Sequence, residues 1–149
     1  MSINIRLATV SDLDNIVELH LKLLAFEGEF EGDRKNIEWA YKNIINSENS
    51  FIVVIELDKK IIGMCSLQTL ISTIEGGNIC YIEDVYIEKD YRTFGYGIKL
   101  MEFVENFCKK LNYKRIQLLC KIDNNRAVKF YERLGFSKFK RFFFIKPIK

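Results

Sequence analysis

Histidine is nearly missing from this chain: His20 is the only one among 149 residues. Its scarcity removes histidine-rich metal sites and the partner that a Cys–His or Ser–His nucleophile needs. His20 itself falls inside a segment with amphipathic helical spacing and reads as a structural residue. Cysteine is sparse too. Cys65, Cys80, Cys108 and Cys120 lie far apart, form no C-x-x-C and sit among apolar neighbours, so they read as buried free thiols rather than a disulfide framework or a metal knuckle. No apolar run approaches the ~20 residues of a membrane span. The opening MSINIRLATVSDLD has the alternation of a strand instead of a signal peptide's basic start and apolar block, so the cytoplasm is the expected location. A net charge of +3, evenly mixed with acids, is too small to argue for nucleic acid.

What is present is the balance of a folded domain: 48% apolar and 29% charged residues in a length suited to one domain, 1–149. No internal repeat, low-complexity block or linker divides it. INIRLA (3–8) alternates like a strand, and Ser11 with Asp14 resembles a helix N-terminal capping signal. Ile16, Leu19, Leu23 and Leu24 then define one helical stripe, and Ile37, Tyr41, Ile44 and Ile45 a second, beyond the acidic FEGEFEGD at 26–33. FIVVIEL (51–57) and IIGMCSLQTLI (61–71), separated by three residues, read as an antiparallel hairpin. After STIEGGN (72–78) the segment NICYIEDVYI forms a third long strand, 79–87. Ile98, Met101, Val104, Cys108 and Leu111 mark a helix over 97–111. KRIQLLCKI (114–122) has the near-continuous apolarity of a central buried strand, NNRAVKFYERLG (124–135) reads as a short helix stopped by glycine, and FSKFKRFFFIK as one or two final strands. The class is a mixture of helix and sheet with an antiparallel meander in its middle.

The junction YIEDVYIEKDYRTFGYGIKLM (81–101) carries the chemistry. Strand, glycine-containing loop and helix aim unpaired backbone N–H groups outward at the positive end of a helix dipole, an arrangement that holds an anion such as a pyrophosphate. Gly95 and Gly97 permit a sharp turn and a close approach, and Arg92 adds a permanent positive charge. The stretch is neither a P-loop, since no lysine completes G-x-x-x-x-G-K-[ST], nor a dinucleotide fingerprint, since Leu100 stands at the third glycine.

Arg92-Thr93-Phe94-Gly95-Tyr96-Gly97 resembles the R/Q-x-x-G-x-G/A loop of the GNAT superfamily of acetyl-coenzyme A dependent N-acetyltransferases. Asn124, Arg126, Ala127, Phe130, Tyr131 and Gly135-Phe136 resemble its second signature, N-x-R-A-x-x-F-Y-x-x-x-G-F, at matching spacing. The resemblance covers essentially the whole chain. It implies an α/β (α+β) GNAT fold, with a central mixed, mostly antiparallel twisted sheet, helices on both faces and fourth and fifth strands (79–87 and 115–122) splayed to admit the pantetheine arm. It implies acetyl-coenzyme A as cosubstrate, bound through Val85, Tyr86 and Ile87 of the fourth strand, the loop Arg92 to Gly97, and Asn124 and Arg126. Backbone groups at Val85 and Ile87 pair with the pantetheine amides. Thr93 departs from the glycine usual there in close relatives, which costs energy if the position requires positive φ.

Acetyl transfer to an amine requires the neutral amine, whereas an alkylammonium has a pKa near ~10.4. By similarity to polyamine acetyltransferases of this family, Glu83 is the general base, sharing a strand face with Tyr81, Val85 and Ile87. Asp84 then points to the other face, where it caps a neighbouring element or serves as the alternative carboxylate. Tyr131, a phenol protonated at neutral pH, is the acid for the departing thiolate. No acyl-enzyme is required. The acidic 26–33 segment is a solvated loop or a rim that attracts a cationic amine, and the 69–78 loop walls the acceptor pocket. The aromatic, basic tail reads as a lysine-guarded last strand rather than an RNA-stacking surface. Two functions stay open: an N-acetyltransferase acting on a small-molecule or peptide amine, and a catalytically silent acyl-coenzyme A sensor of the same fold. A homodimer through the C-terminal strands follows by analogy with relatives.

Overall fold

A computed structural model describes all 149 residues, which fall into two compact units, Met1–Leu119 and Cys120–Lys149. The first unit is built on a five-stranded sheet of order β1-β2-β3-β4-β5: β1 Ile3–Leu7, β2 Ser50–Leu57, β3 Lys60–Ser72, β4 Gly77–Ile87 and β5 Ile116–Leu118. The first four pair antiparallel and β5 joins β4 in parallel, so the sheet is mixed and mostly antiparallel, as the sequence implies. Between β2 and β3 the turn is only Asp58-Lys59, both at positive φ (49° and 68°), the geometry of a type I′ hairpin.

Alternation along β2 sorts its side chains between two helical layers. Ile52 and Val54 meet α1 (Leu13–Glu27) and α2 (Arg34–Ile45) through Ile16, Val17, Leu19, Leu23, Ile37 and Tyr41. Ile55 and Leu57 face the other way, where they join Ile62 and Tyr96, the first residue of α3 (Tyr96–Lys110). Phe51 adds an edge-on contact with Phe107 of α3, ring centroids 4.9 Å apart. Each fully buried aliphatic side chain here contributes about 1.5–3 kcal/mol by leaving water. The stripe on α3 is Tyr96, Leu100, Met101, Val104 and Cys108, while Ile98 and Leu111, expected on it, are exposed.

The entry to α1 is capped two residues earlier than Ser11 and Asp14 suggest. Thr9 N donates to Asp12 Oδ2 at 2.8 Å across a single 3₁₀ turn, Val10–Asp12. Arg6 of β1 grips the same buried carboxylate through both terminal nitrogens (2.7 and 3.0 Å) and also reaches Glu56 of β2. The Arg6 guanidinium holds the Asp12 carboxyl below the usual carboxylate range, outweighing the opposing effect of burial.

Three elements differ from expectation. The strand expected over 114–122 is only Ile116–Leu118, half-buried, and it lies at the sheet's edge instead of its centre, so its apolar run is not enclosed by neighbours on both sides. The loop expected at 69–78 shrinks to 73–76, because β3 and β4 pair all the way to Ser72 and Gly77. The final strands are absent: residues 136–149 form no strand, and Phe139, Phe142, Phe143 and Phe144 are exposed. A dimer seam through C-terminal strands therefore has no strand in that segment to use.

The second unit contains α4, Asn125–Arg133. Asn124 caps it, its side-chain oxygen accepting from Ala127 N at 3.2 Å. Its end is a left-handed Gly135 (φ 93°), after which Phe136 N returns to Tyr131 O at 3.1 Å and lays its ring edge-on against that of Tyr131. Three cysteines, Cys65, Cys80 and Cys108, are buried free thiols as expected, whereas Cys120 is only partly covered. No helix is long and apolar enough to cross a membrane.

Candidate active site

The centre of the site is a bulge in β4. Met64 faces Tyr86 and Ser66 faces Glu83, so Asp84 and Val85 together oppose the single residue Cys65. Asp84 absorbs the extra length with φ 56°, a conformation aspartate tolerates better than most residues. The extra residue corrects the alternation expected for this strand. Glu83 lies opposite Ser66, Tyr86 packs into the α1/α2 core and Ile87 against the cluster on the other face. Glu83 and Asp84 are therefore not on opposite faces: both meet Ser66, whose buried hydroxyl is shared between Asp84 Oδ2 (2.9 Å) and the Glu83 carbonyl (3.2 Å).

Glu83 is open to solvent on one side, yet partial desolvation, with the Asp84 carboxylate second, raises its pKa above the ordinary value. A carboxyl so placed accepts a proton more readily than a free glutamate. The α1/α2 side also supplies residues that sequence reasoning set aside. His20 Nδ1 lies 2.5 Å from Tyr41 Oη and 3.7 Å from Asp84 Oδ1, with its ring edge-on to Tyr41. Burial keeps the Tyr41 phenol protonated far above its usual range, and Asp84 reinforces this. The available signal was positional: His20 sits four residues after Ile16 and three before Leu23, on the buried stripe, where a polar ring needs a polar partner.

Beyond the bulge, β4 runs alone on its β5 side. Parallel pairing stops at Ile82 with Leu118, and residues 83–87 have no partner there. The strand β5 ends at Leu118, which leaves this edge of β4 unpaired. A 3₁₀ turn, Lys89–Tyr91, then leads into the loop before α3. The first helical hydrogen bond of α3 runs from Lys99 N to Gly95 O (3.1 Å), which leaves the amides of Tyr96, Gly97 and Ile98 without a helical acceptor, and no side chain caps them. Gly95 has φ 84°, and Thr93 has φ 72°, so the position where threonine replaces a usual glycine does require the left-handed region.

Arg92 is engaged within the protein. Its Nε donates to the Ile87 carbonyl at 2.8 Å, and its guanidinium lies over the rings of Phe26 (4.7 Å) and Tyr86 (5.2 Å). Its main effect is to fasten the loop to the end of β4 and to α1. The acidic segment between α1 and α2 is largely exposed, and its Asp33 serves as the N-cap of α2, accepting from Lys35 N at 3.1 Å. Among the sequence-predicted residues, Glu83, Val85, Tyr86, Ile87 and the loop 92–97 lie on the contiguous β4–α3 stretch of the first unit. Asn124, Arg126 and Tyr131 stand on α4 and its cap in the second. Tyr131 is half-buried, flanked edge-on by Phe130 and Phe136.

A bulged fourth strand with a free edge thus runs into an uncapped glycine loop and helix. The acetyltransferase (GNAT) family model fits residues 13–136, and the chain belongs to that family. An uncharacterized N-acetyltransferase of Methanocaldococcus jannaschii is 28% identical over 136 residues, covering 90% of this chain and 60% of its own length. The chain thus spans less than two thirds of that curated relative's length. Among solved structures, a possible acetyltransferase from Clostridium difficile 630 superposes with TM-score 0.88 at 24% identity, covering 100% of this chain and 99% of the other. A predicted acetyltransferase with acetyl-CoA from Clostridium acetobutylicum gives TM-score 0.82 at 19% identity, covering 97% and 96%. These likenesses confirm the fold.

Proposed function

We propose that the chain transfers the acetyl group of acetyl-coenzyme A directly to a primary amine of a small molecule or peptide. The observation that carries this reading is the placement of Glu83, a carboxyl of raised proton affinity, at the bulge where β4 loses its β5 partner, on the strand that leads to the uncapped amides of α3. Membership of a family that uses acetyl-coenzyme A supports the cosubstrate.

In this reading the amides of Tyr96, Gly97 and Ile98, at the positive end of the α3 dipole, receive the pyrophosphate. The unpaired edge from Val85 to Ile87 receives the pantetheine, Tyr86 holding Arg92 and Arg92 holding the Ile87 carbonyl at the end of that edge. Thr93, Phe94 and Gly95 shape the loop, and Asn124 and Arg126 enter as coenzyme contacts on the strength of the second signature. Glu83 takes a proton from the attacking ammonium, directly or through water. Tyr131, on its motif, supplies one to the leaving thiolate. The nitrogen attacks the thioester carbonyl, the C–S bond breaks, and no covalent enzyme intermediate forms. We further read the chain as one domain acting in the cytoplasm, since the family match runs through both units. A homodimer is the proposed assembly, supported by the exposed Phe139, Phe142 and Phe144; sedimentation showing only monomer at high concentration would end that part.

The test is a thiol-release screen with acetyl-coenzyme A against polyamines, aminoglycosides, amino acids and N-terminal peptides. Turnover on at least one class is expected. Tight coenzyme binding with no turnover on any of them supports the silent sensor instead.

A further inference from the structure

On the sheet face that carries Glu83, α1 and α2 cover only part of the surface. Ile52, Val54, Met64 and Tyr86 pack into the core beneath the helices, whereas the next row of the sheet is polar. Register places Ser50, Gln68, Tyr81 and Gln117 side by side on β2, β3, β4 and β5. Directly opposed residues share a face, and their neighbours fix which one. Phe51 and Thr69, one residue along, turn the other way, to Phe107 of α3 and to the hydroxyl of Tyr113 just after it. Tyr81 precedes Glu83 by two residues, before the bulge begins, so both stand on the same side. All four members of the row are half-buried. Their hydrogen bonds leave donors free. Ser50 Oγ donates to Gln68 Oε1 at 2.5 Å and Arg115 Nη2 to Gln117 Oε1 at 3.0 Å, so each amide has engaged its oxygen and kept its Nε2. Both Nε2 groups and the Tyr81 hydroxyl lack a hydrogen-bonding partner in the protein. Partial burial, with the Glu83 carboxylate second, raises the pKa of Tyr81, so its phenol stays protonated. These are the only two glutamines in the chain.

We infer that Gln68, Tyr81 and Gln117 determine acceptor specificity: they form a floor of donors beside Glu83 that takes a primary amine bearing carbonyl or hydroxyl oxygens and selects against polyamines. This rests on the acetyl-transfer reading, with Glu83 receiving the amine. The three positions are ~4.8 Å apart across the strands, and Tyr81 is ~6.7 Å along β4 from Glu83. A nitrogen at Glu83 therefore brings oxygens a few bonds away over the row, as in the N-terminal segment of a peptide or in an amino sugar. A polyamine has no such oxygens. Its other nitrogens are ammonium groups at neutral pH, donors only, and against two amide donors they lose water without gaining an acceptor. At the β5 end the nearest charge is also a cation, Arg115, held by Glu75 at 3.2 Å.

The experiment is NMR on the full chain with nitrogen-labelled glutamine side chains, where two glutamines give two pairs of amide signals and no others. Triglycine, glucosamine and spermidine are titrated in turn, with and without coenzyme A. Triglycine or glucosamine should move these signals saturably, at a concentration at least about tenfold below any at which spermidine does; which of the two acts identifies the source. A smaller margin, or no shift with either, overturns the inference. In the thiol-release assay, kcat/KM on an oxygen-bearing acceptor should exceed that on spermidine by about 10²-fold. Gln68→Glu and Gln117→Glu replace a donor by an acceptor at nearly constant shape. Each should raise KM for the oxygen-bearing acceptor about tenfold and narrow the gap to spermidine. Spermidine as the preferred acceptor, or a gap that both variants leave unchanged, overturns the inference as well. Shifts without turnover on any amine refute the enzyme reading and leave the floor standing, and turnover without shifts does the reverse. Should the variants not fold, the wild-type amide signals decide the matter.

Discussion

Thr93 and Glu83 are the residues at which local physics most directly constrains function. A β-branched residue at φ 72° carries backbone strain of about 1–2 kcal/mol, partly offset by the greater freedom a glycine would have in the unfolded chain. Thr93→Gly should therefore stabilise the protein by about 0.5–1 kcal/mol, read as a Tm rise of about 2 °C; a fall in Tm would show that the threonine side chain compensates. Glu83 acts as a base only when ionised. Its raised pKa means that protonation, and loss of activity, begins at higher pH than for a free glutamate, so the acid limb of kcat/KM should have its midpoint above 4.5. Glu83→Gln should remove that limb and lower kcat/KM by about 10²–10⁴-fold. An unchanged pH profile in this variant would assign the base elsewhere, with Asp84 the first alternative.

At the scale of elements, the joint between β1, β2 and the turn into α1 depends on one carboxylate. Asp12 is buried, accepts two bonds from Arg6 and caps Thr9, and Arg6 is tied in turn to Glu56. Because the folded pKa of Asp12 is depressed, its stabilising contribution is present above the unfolded value of about 3.8 and is lost as pH falls through the lower, folded one. Asp12→Asn should cost about 2 kcal/mol at neutral pH and flatten the stability curve in that acid window, measured by urea unfolding across pH. A second joint is steric. A Cβ on Gly63 would lie 2.8 Å from the Tyr86 carbonyl and 2.4 Å from Ile87 Cδ1, so this glycine lets β3 approach β4 closely just past the bulge. Such joints were partly legible in the sequence: the β2–β3 hairpin, both helical stripes and the strand–glycine–helix junction all follow from local spacing. The bulge was not. Nothing in EDV announces it, since it exists only as a mismatch with Cys65 on the neighbouring strand.

For the whole molecule, the central prediction is binding. Acetyl-coenzyme A at 100 times its Kd should raise stability by about 2.7 kcal/mol, visible as a thermal shift, with heat of association by calorimetry. Absence of both at millimolar coenzyme would remove the basis for any acetyl-transfer reading. The element order, the meander, the family signatures and the glutamate on the fourth strand were all available from sequence by itself. Periodicity and turn chemistry act between residues close along the chain, and the motifs fix residue types at set spacings. Where apolar pattern spoke without a partner it misled, as in the overlong β5 and the final strands that residues 136–149 do not form. Only tertiary structure decided that Glu83 and Asp84 share Ser66, that Arg92 is bound to β4 and Phe26, and that His20 and Tyr41 stand behind Asp84. These contacts join residues up to 66 positions apart, Phe26 of α1 with Arg92 beyond β4, and the field around a carboxyl depends on what packs against it in space rather than on its neighbours along the chain.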